Sequence, residues 1–381
     1  MNNLDSNKKK KVILGLSGGV DSAVSVIMLQ KQGYEVEGMF MRNWDSFMNN
    51  DVLGNPNDPS DVCPQEVDYM DALKTAEELG IKLHRVDFVE EYWQRVFQYF
   101  LDEYNHNRTP NPDILCNKEI KFKSFLDKAM EMGFDYIAMG HYARIIHEDN
   151  GDVKLLRGLD SNKDQTYFLC QLTKKQLEKA LFPIGDLEKK DVRRIAKENN
   201  LTIATKKDST GVCFIGERNF KEFLKNYLPA KPGNMETLSG EIVGTHDGIM
   251  YYTIGQRKGL GLGGAGDAWF VLGKDPKRNV LLVGRGSEQE YLYSNRAIIT
   301  KINWIGDELD ENKIYLAKFR YRGVDNEVKI KKIEEDKFEV FYPNKAKAVT
   351  PGQAAVFYDG ERLVGGGTID EVYMDLEKRQ Y

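Results

Sequence analysis

The chain has 381 residues, of which 41% are hydrophobic and 30% charged, with a formal net charge of −5. That length exceeds one ordinary hydrophobic core and predicts two or three domains. No apolar run is long enough to span a bilayer, and the lysines of MNNLDSNKKKK have no apolar signal core behind them, so the sequence predicts a cytoplasmic protein without membrane attachment.

VILGL (12–16) predicts a first strand. Val20, Ala23, Val24, Ile27 and Met28 then recur at helical spacing, and Gly33 ends that helix. EVEGMFM (35–41) predicts a second strand, followed by a polar, turn-rich insert over 43–64. A helix over 67–80, a strand over 81–88, a helix around 121–133 and a strand over 135–141 complete the pattern. Strands separated by helices imply an α/β fold with a doubly wound, mostly parallel sheet. Ligands of such sheets sit beyond the C-terminal strand ends, where loops 17–22, 42–45 and 140–142 fall together.

After about residue 210 the helical patterns fade, and glycine rises through 244–273. From about 290 onward polar and apolar positions alternate in short runs, for example 313–323, 328–343 and 353–369. These predict a small β-barrel. The expected units are 8–210, an α/β domain; 211–288, a central glycine-rich domain; and 289–381, a C-terminal β-barrel.

The negative net charge does not favour a nucleic-acid partner and does not exclude one, because local patches outweigh the sum. The basic run 8–11 reads as a solvated tail. Four cysteines, Cys63, Cys116, Cys170 and Cys213, show neither C-x-x-C pairing nor zinc-ligand spacing. That argues against a structural metal or a disulfide framework and leaves thiols available for chemistry.

Ser17, Gly18 and Gly19, between the first strand and helix, let backbone N–H groups approach phosphate oxygens. The helix start near Asp21 adds its positive end, and Ser17 and Ser22 add hydroxyl donors. The lysine of a G-x-x-x-x-G-K-[ST] loop is absent, so a phosphoryl-transferring Walker loop is not expected. In NPDILCNKEIKF (111–122), Pro112 and Asp113 predict a helix start with Cys116 in its first turn, where the helix end favours thiolate. Asp113 there is either a proton-handling group or a helix cap. Cys213, in STGVCFIG (209–216), sits in a glycine-flanked stretch expected to be a mobile loop, which suits a residue that loads and delivers a group. Cys63 and Cys170 read as non-catalytic, Cys170 within the apolar pattern YFLCQL.

SGGVDS resembles the signature of the PP-loop ATP pyrophosphatases. Members typically adenylate a carbonyl oxygen, release pyrophosphate and let a nucleophile displace AMP. That loop followed in order by NPDILCN, MGHYAR, KDQTYFL, KKDSTGVCFIG and GQRKGLG resembles the tRNA-specific 2-thiouridylases. The barrel matches less distinctively, through KFRYR (318–322) and TPGQAAVFY (350–358). The resemblance implies ATP-dependent replacement of the C2 oxygen of the wobble uridine by sulfur, with magnesium only as the companion of ATP.

It further implies that Gly15, Leu16, Ser17, Gly18, Gly19, Val20, Asp21 and Ser22 bind ATP phosphates and that Met41 and Gly140 border adenine and ribose. Asn111, Pro112 and Asp113 would face the target base, with Asp113 as acid/base. Cys213 would carry a persulfide supplied by a desulfurase or relay protein. Cys116 would attack it and end in a disulfide with it; whether free sulfide or the persulfide itself attacks the base stays open. His141, Lys163, Asp164, Gln165, Arg320, Tyr321 and Gln353 would touch the anticodon arm of tRNA, the two later domains contributing to that contact. On a strand, Arg320 and Tyr321 would point to opposite faces. Two other readings remain at this stage: an amidating PP-loop ligase that needs no thiols, and a non-catalytic RNA-binding protein that kept the nucleotide fold.

Overall fold

The computed structural model describes residues 9–51, 64–208, 219–229, 231–306 and 309–381. The first part of the chain supplies strands β1 (Lys11–Gly15), β2 (Glu35–Arg42), β3 (Leu83–Asp87), β4 (Tyr136–Ala138), β5 (Ala143–His147), β6 (Val153–Arg157) and β7 (Ala180–Leu181). Five of them pair in the order β3-β2-β1-β4-β7, all parallel. The continuous apolar run of β1 follows from its place between β2 and β4, since a central parallel strand is covered on both faces.

Helices α1 (Val20–Lys31) and α2 (Pro64–Glu78) lie where the periodicity puts them. A third helix, α3, runs through Val89–Tyr92, Trp93–Phe97 and Gln98–Asn105, and the sequence reading assigned no element there. Its signal was present: Tyr92, Val96, Phe100 and Tyr104 recur every fourth residue and are all buried. Helix α4 runs through Pro112–Leu115, Cys116–Ser124 and Phe125–Glu131, beginning at Pro112 as expected and widening to π-type turns in its middle stretch. The fourth strand is shorter than 135–141: its regular pairing ends at Ala138, and beyond it only the Met139 N–H still donates to the Leu181 carbonyl (3.1 Å). Helices α5 (Lys189–Glu198) and α6 (Phe220–Lys225) complete the helical set used below.

An aromatic core ties the opening of the insert to α3 and α6. Trp44, only 1% exposed, packs against Tyr92, Phe97 and Phe223, with ring centroids 6.2, 4.9 and 5.9 Å away. Edge-on and tilted contacts of this kind add to plain burial by about 0.5–1.5 kcal/mol a pair.

The middle of the chain forms β8 (Gly233–Glu236), β9 (Ile242–His246), β10 (Phe270–Asp275) and β11 (Val280–Gly284), in the order β10-β11-β8-β9. The last part forms β12 (Tyr293–Trp304), β13 (Tyr315–Lys318), β14 (Asn326–Glu334), β15 (Lys337–Lys347), β16 (Ala354–Asp359) and β17 (Arg362–Met374). These close into a barrel, β12-β15-β14-β13-β16-β17, with β17 returning to β12. In β14 the inward Val328 and Ile330 are buried while Lys329 and Lys331 face solvent, the two-residue alternation of a barrel wall. The β5–β6 hairpin joins this sheet through Leu156 opposite Arg362.

One expectation is corrected in the barrel. Arg320 and Tyr321 do not alternate on a strand: β13 ends at Lys318, and the next residues turn, with the Gly323 N–H donating to the Arg320 carbonyl (3.0 Å). Arg322, at φ 59°, reverses the chain there, so the pleat that would separate the two side chains is absent.

All three parts meet on the link between α3 and α4. The Thr109 N–H donates to the Pro351 carbonyl (3.0 Å), and Gln353 Nε2 donates to the carbonyls of Thr109 (2.7 Å) and Pro110 (3.3 Å). Arg108 pairs with Asp370 (2.7 Å) and donates to the Ile369 carbonyl (2.9 Å). From β10, Lys274 Nζ reaches the Asn107 carbonyl (2.9 Å). Gly352 makes the approach possible: at φ +91°, a Cβ on it would stand 2.8 Å from the Thr109 nitrogen. Gly352→Ala is therefore expected to lower stability by at least ~1 kcal/mol, from the left-handed backbone and the contact together, read as a lowered midpoint in chemical denaturation.

Candidate active site

The phosphate loop is built by the end of β1 and the start of α1. Leu16 turns into the core, its N–H held by the Met39 carbonyl (3.0 Å), and Val20 is likewise buried, so these two contribute backbone rather than side chain to the loop surface. Gly18 takes φ +72°, and a Cβ on it would meet the Asp68 carbonyl of α2 at 2.6 Å. Ser17 and Ser22 face each other across the turn, their hydroxyl oxygens 3.3 Å apart. Gly19 is the N-cap of α1, and no side chain caps the helix. The first N–H groups of α1 thus lack a protein side chain as acceptor, the arrangement suited to an anion.

The neighbouring strand ends close over this loop. Gly140, just beyond β4, packs on the start of α1, where a Cβ would lie 3.0 Å from the Ser22 nitrogen. Met41, at the end of β2, and Met139 flank Gly15, at 3.2 and 2.7 Å from where its Cβ would be. Gly15, Gly140 and Met41 are thus brought together at the C-terminal edge of the sheet.

Charged residues brace the loop from behind. Asp21 accepts from the Tyr142 hydroxyl (2.9 Å) and pairs with Lys189 of α5 (2.8 Å). Burial and the facing carboxylate of Asp21 push the Tyr142 phenol up, so it stays a donor. Lys189 also pairs with Asp208 (2.7 Å), which in addition holds Lys163 and Arg193, each at 2.7 Å. Lys206 donates to the Gly18 carbonyl (3.2 Å) and pairs with Asp68 (3.1 Å) and Asp71 (2.6 Å). Tyr142, Lys189, Lys206 and Asp208 were not singled out from sequence. The signal lay in KKD (206–208), where two cations and an anion directly precede the Cys213 stretch.

The second group lies on α4. Asn111, not Asp113, caps the helix: its side-chain oxygen accepts from the Asp113 N–H (3.2 Å), and Pro112 fills the first helical position. Asp113 is half-buried in the first turn. Cys116 lies just past that turn, its N–H already bonded to the Pro112 and Asp113 carbonyls, and it is fully buried. It belongs to the same extended hydrophobic cluster as Ile114, Met41 and Met139. Cys213 and Cys63 lie outside the described residues. Cys170 is fully buried, and burial pushes its thiol up to about 12, as befits a core residue.

The residues expected to meet RNA divide into two groups. His141 is buried between Phe122 (6.0 Å between rings) and Phe182 (5.8 Å), its Nδ1 has no hydrogen-bond partner, and burial with nearby Lys121 lowers its pKa well below the usual range. Asp164 is buried and accepts from the N–H groups of Gly158 (3.1 Å) and Thr166 (3.2 Å). Gln165 accepts from the Tyr142 N–H (3.0 Å), and Gln353 grips Thr109 and Pro110 as above. The side chains of Asp164, Gln165 and Gln353 thus have protein partners. Lys163 is partly exposed beside Asp208, Arg320 is exposed, and the Tyr321 ring packs tilted against Phe168 (4.4 Å between ring centroids), whose carbonyl accepts from Asn117 of α4 (3.2 Å). The barrel turn therefore abuts the turn that follows Cys116. Among the described residues no cluster of three His, Cys, Asp or Glu side chains has metal-ligand geometry, and no helix is long and apolar enough to cross a membrane.

Three family models cover most of the chain. Residues 10–217 match the tRNA methyl transferase HUP domain, 221–285 the tRNA methyl transferase PRC-barrel domain, and 294–369 the aminomethyltransferase β-barrel domain. The tRNA-specific 2-thiouridylase MnmA of Acholeplasma laidlawii (strain PG-8A) is 59% identical over 376 residues, covering 98% of this chain and 100% of that protein. The protein of the same name from Lysinibacillus sphaericus (strain C3-41) is 54% identical, covering 97% of each chain. A parallel sheet with an uncapped glycine loop, a central sheet domain and a closed barrel, matched over nearly full length by proteins of one name, place this chain in the tRNA-specific 2-thiouridylase family.

Proposed function

We propose that the protein uses ATP to activate the C2 oxygen of the wobble uridine in tRNA and replaces that oxygen with sulfur carried on Cys213. The observation that carries this reading is an uncapped helix N-terminus behind a glycine loop, in the same domain as the helix that bears Cys116 and sharing with it one hydrophobic cluster that includes Met41 and Met139. ATP is consumed, so it is a substrate. Its phosphates fit the free N–H groups of Gly19 to Ser22 and the hydroxyls of Ser17 and Ser22, and magnesium would arrive on those phosphates. Met41 and Gly140 would border the nucleoside, and Asn111, Pro112 and Asp113 the target base.

The chemistry balances as follows. The C2 oxygen bonds to the α-phosphorus, and pyrophosphate leaves. Sulfur then adds at C2, and AMP leaves with the original oxygen. In one order, the Cys116 thiolate attacks the Sγ of the Cys213 persulfide, forming a disulfide and releasing hydrosulfide that adds to the base. In the other, the terminal persulfide sulfur adds first, and Cys116 then cleaves the sulfur–sulfur bond. Both end in a Cys116–Cys213 disulfide that an external dithiol reduces. Asp113 handles the proton. A cysteine desulfurase or sulfur-relay protein in the cytoplasm is the class of partner that loads Cys213.

The units 8–210, 211–288 and 289–381 divide the labour, the latter two gripping the anticodon arm. Lys163 and Arg320 would contact phosphates, and Tyr321 would stack on a base. His141, Asp164, Gln165 and Gln353 would complete the contact with tRNA.

Mass spectrometry of undermodified tRNA incubated with ATP, a reducible sulfur source and the protein tests the reaction. A mass gain for oxygen-to-sulfur exchange is expected, and its absence with RNA-independent pyrophosphate release would sink the reading. Cys116→Ser and Cys213→Ser should each abolish thiolation while ATP binding, followed by calorimetry, survives. tRNA affinity should fall steeply between low and moderate salt in filter binding; a flat response would exclude a phosphate-gripping surface.

The anchoring of Asp208 gives a pH signature. Burial works to raise its pKa, but Lys163 and Lys189 overcome this and hold it at about 2. A carboxylate lowered in the folded state contributes stability above its unfolded pKa, and that contribution is lost as pH falls through the folded value. Asp208→Asn should therefore lower Tm modestly at pH 7, with the difference from wild type shrinking below about pH 4 and vanishing toward pH 2.

A further inference from the structure

Residues 107–110 join α3 to the helix that bears Asp113 and Cys116, and both later parts of the chain hold them. The barrel takes Arg108, Thr109 and Pro110 through Asp370, Pro351 and Gln353. The central sheet takes the Asn107 carbonyl through Lys274 Nζ at 2.9 Å. Asn107 itself stands at φ 61°, a left-handed turn whose carbonyl direction is set by that contact. One residue past this link, Asn111 caps α4 and fixes the start of the first turn.

Lys274 is the unusual member of the set. Its side chain is only 3% exposed, and burial lowers its pKa to about 7. A lysine in such a place costs several kcal/mol of desolvation whenever it is charged, whereas an unbranched apolar residue of the same length would pack there at no such cost. Stability alone does not call for lysine. What lysine supplies, protonated or neutral, is a donor long enough to hold a backbone carbonyl of another domain.

We propose that Lys274 is a positioning residue for the reaction: from the central domain it fixes the 107–110 link, and through the Asn111 cap it sets Asp113 and Cys116 against the phosphate loop. This rests on the reading that Asp113 and Cys116 take part in sulfur transfer. It makes the central domain a part of the active-site scaffold as well as a surface for RNA.

The test compares full-length Lys274→Met and Lys274→Gln with wild type, measuring tRNA affinity by filter binding and thiolation in a single turnover at saturating tRNA and ATP. Lys274→Met should keep its tRNA affinity and Tm yet lose roughly 10- to 100-fold in rate, the scale of a misplacement of about 1 Å. Lys274→Gln, which keeps a donor, should recover part of it. Arg108→Met, which frees the same link from the barrel side, should show the same split of rate from affinity and serves if Lys274→Met does not fold. A Lys274→Met protein thiolating at the wild-type rate, or losing rate only in proportion to lost affinity, overturns the proposal. Cys116→Ser run alongside separates the two ideas. If it still thiolates, the underlying reading fails and the positioning role with it. If it is inactive beside an unimpaired Lys274→Met, the positioning role alone fails.

Discussion

A buried peptide group must find a partner, and those of Thr109 and Pro110 find theirs in the barrel. Thr109 and Pro110 are buried, and neither belongs to a helix or strand that would satisfy its backbone internally. The Pro351 carbonyl and the Gln353 amide do so instead. An unmet buried carbonyl or N–H costs about 1–3 kcal/mol, so the barrel cannot lift away from this link without penalty. The start of the cysteine-bearing helix is therefore a tertiary product. Its cap and proline are local, but the direction in which it sets out is imposed from residues more than two hundred positions later.

The loop at the end of β1 shows a second kind of dependence, electrostatic rather than steric. Its helix start carries a partial positive charge, and a carboxylate, Asp21, sits in the first turn. That carboxylate is shared between Lys189 and Tyr142, and Lys189 is in turn shared with Asp208. The result is a chain of alternating charges from α1 through α5 to the residue just before the Cys213 stretch. On the proposed reading, an arriving polyphosphate would meet cations that already have partners, so its binding energy would be a difference between two sets of ion pairs rather than the worth of new ones.

Much of this was legible in the sequence, for reasons that differ by element. The strands β1 and β2, helices α1 and α2 and the barrel hairpins have strong periodicity and clear glycine or turn signals, and they lie where expected. The loop string SGGVDS and the Asn111-Pro112 helix start encode their geometry within a few residues. Helix α3 was passed over although its aromatic repeat, the Asp87 carboxylate accepting from the Val89 N–H at its start, and the left-handed Asn107 beyond its end were there to read. The turn at Arg320 looked like strand because alternation was carried through Tyr321, past the last paired position, Lys318. The roles of Lys206, Asp208 and Lys274 were out of reach, since each acts on a backbone atom or ion partner more than thirty positions away. Local pattern cannot show which of many lysines will make such a contact.

The buried Cys170 has a bearing on fidelity. Chemistry that passes sulfur between thiolates is exposed to any third nucleophile that can join the exchange. At neutral pH a thiol raised to about 12 is almost wholly protonated, and here it is also sealed from solvent. On the proposed mechanism, this interior cysteine would be a mute spectator, unable to intercept the sulfur or scramble a Cys116–Cys213 disulfide.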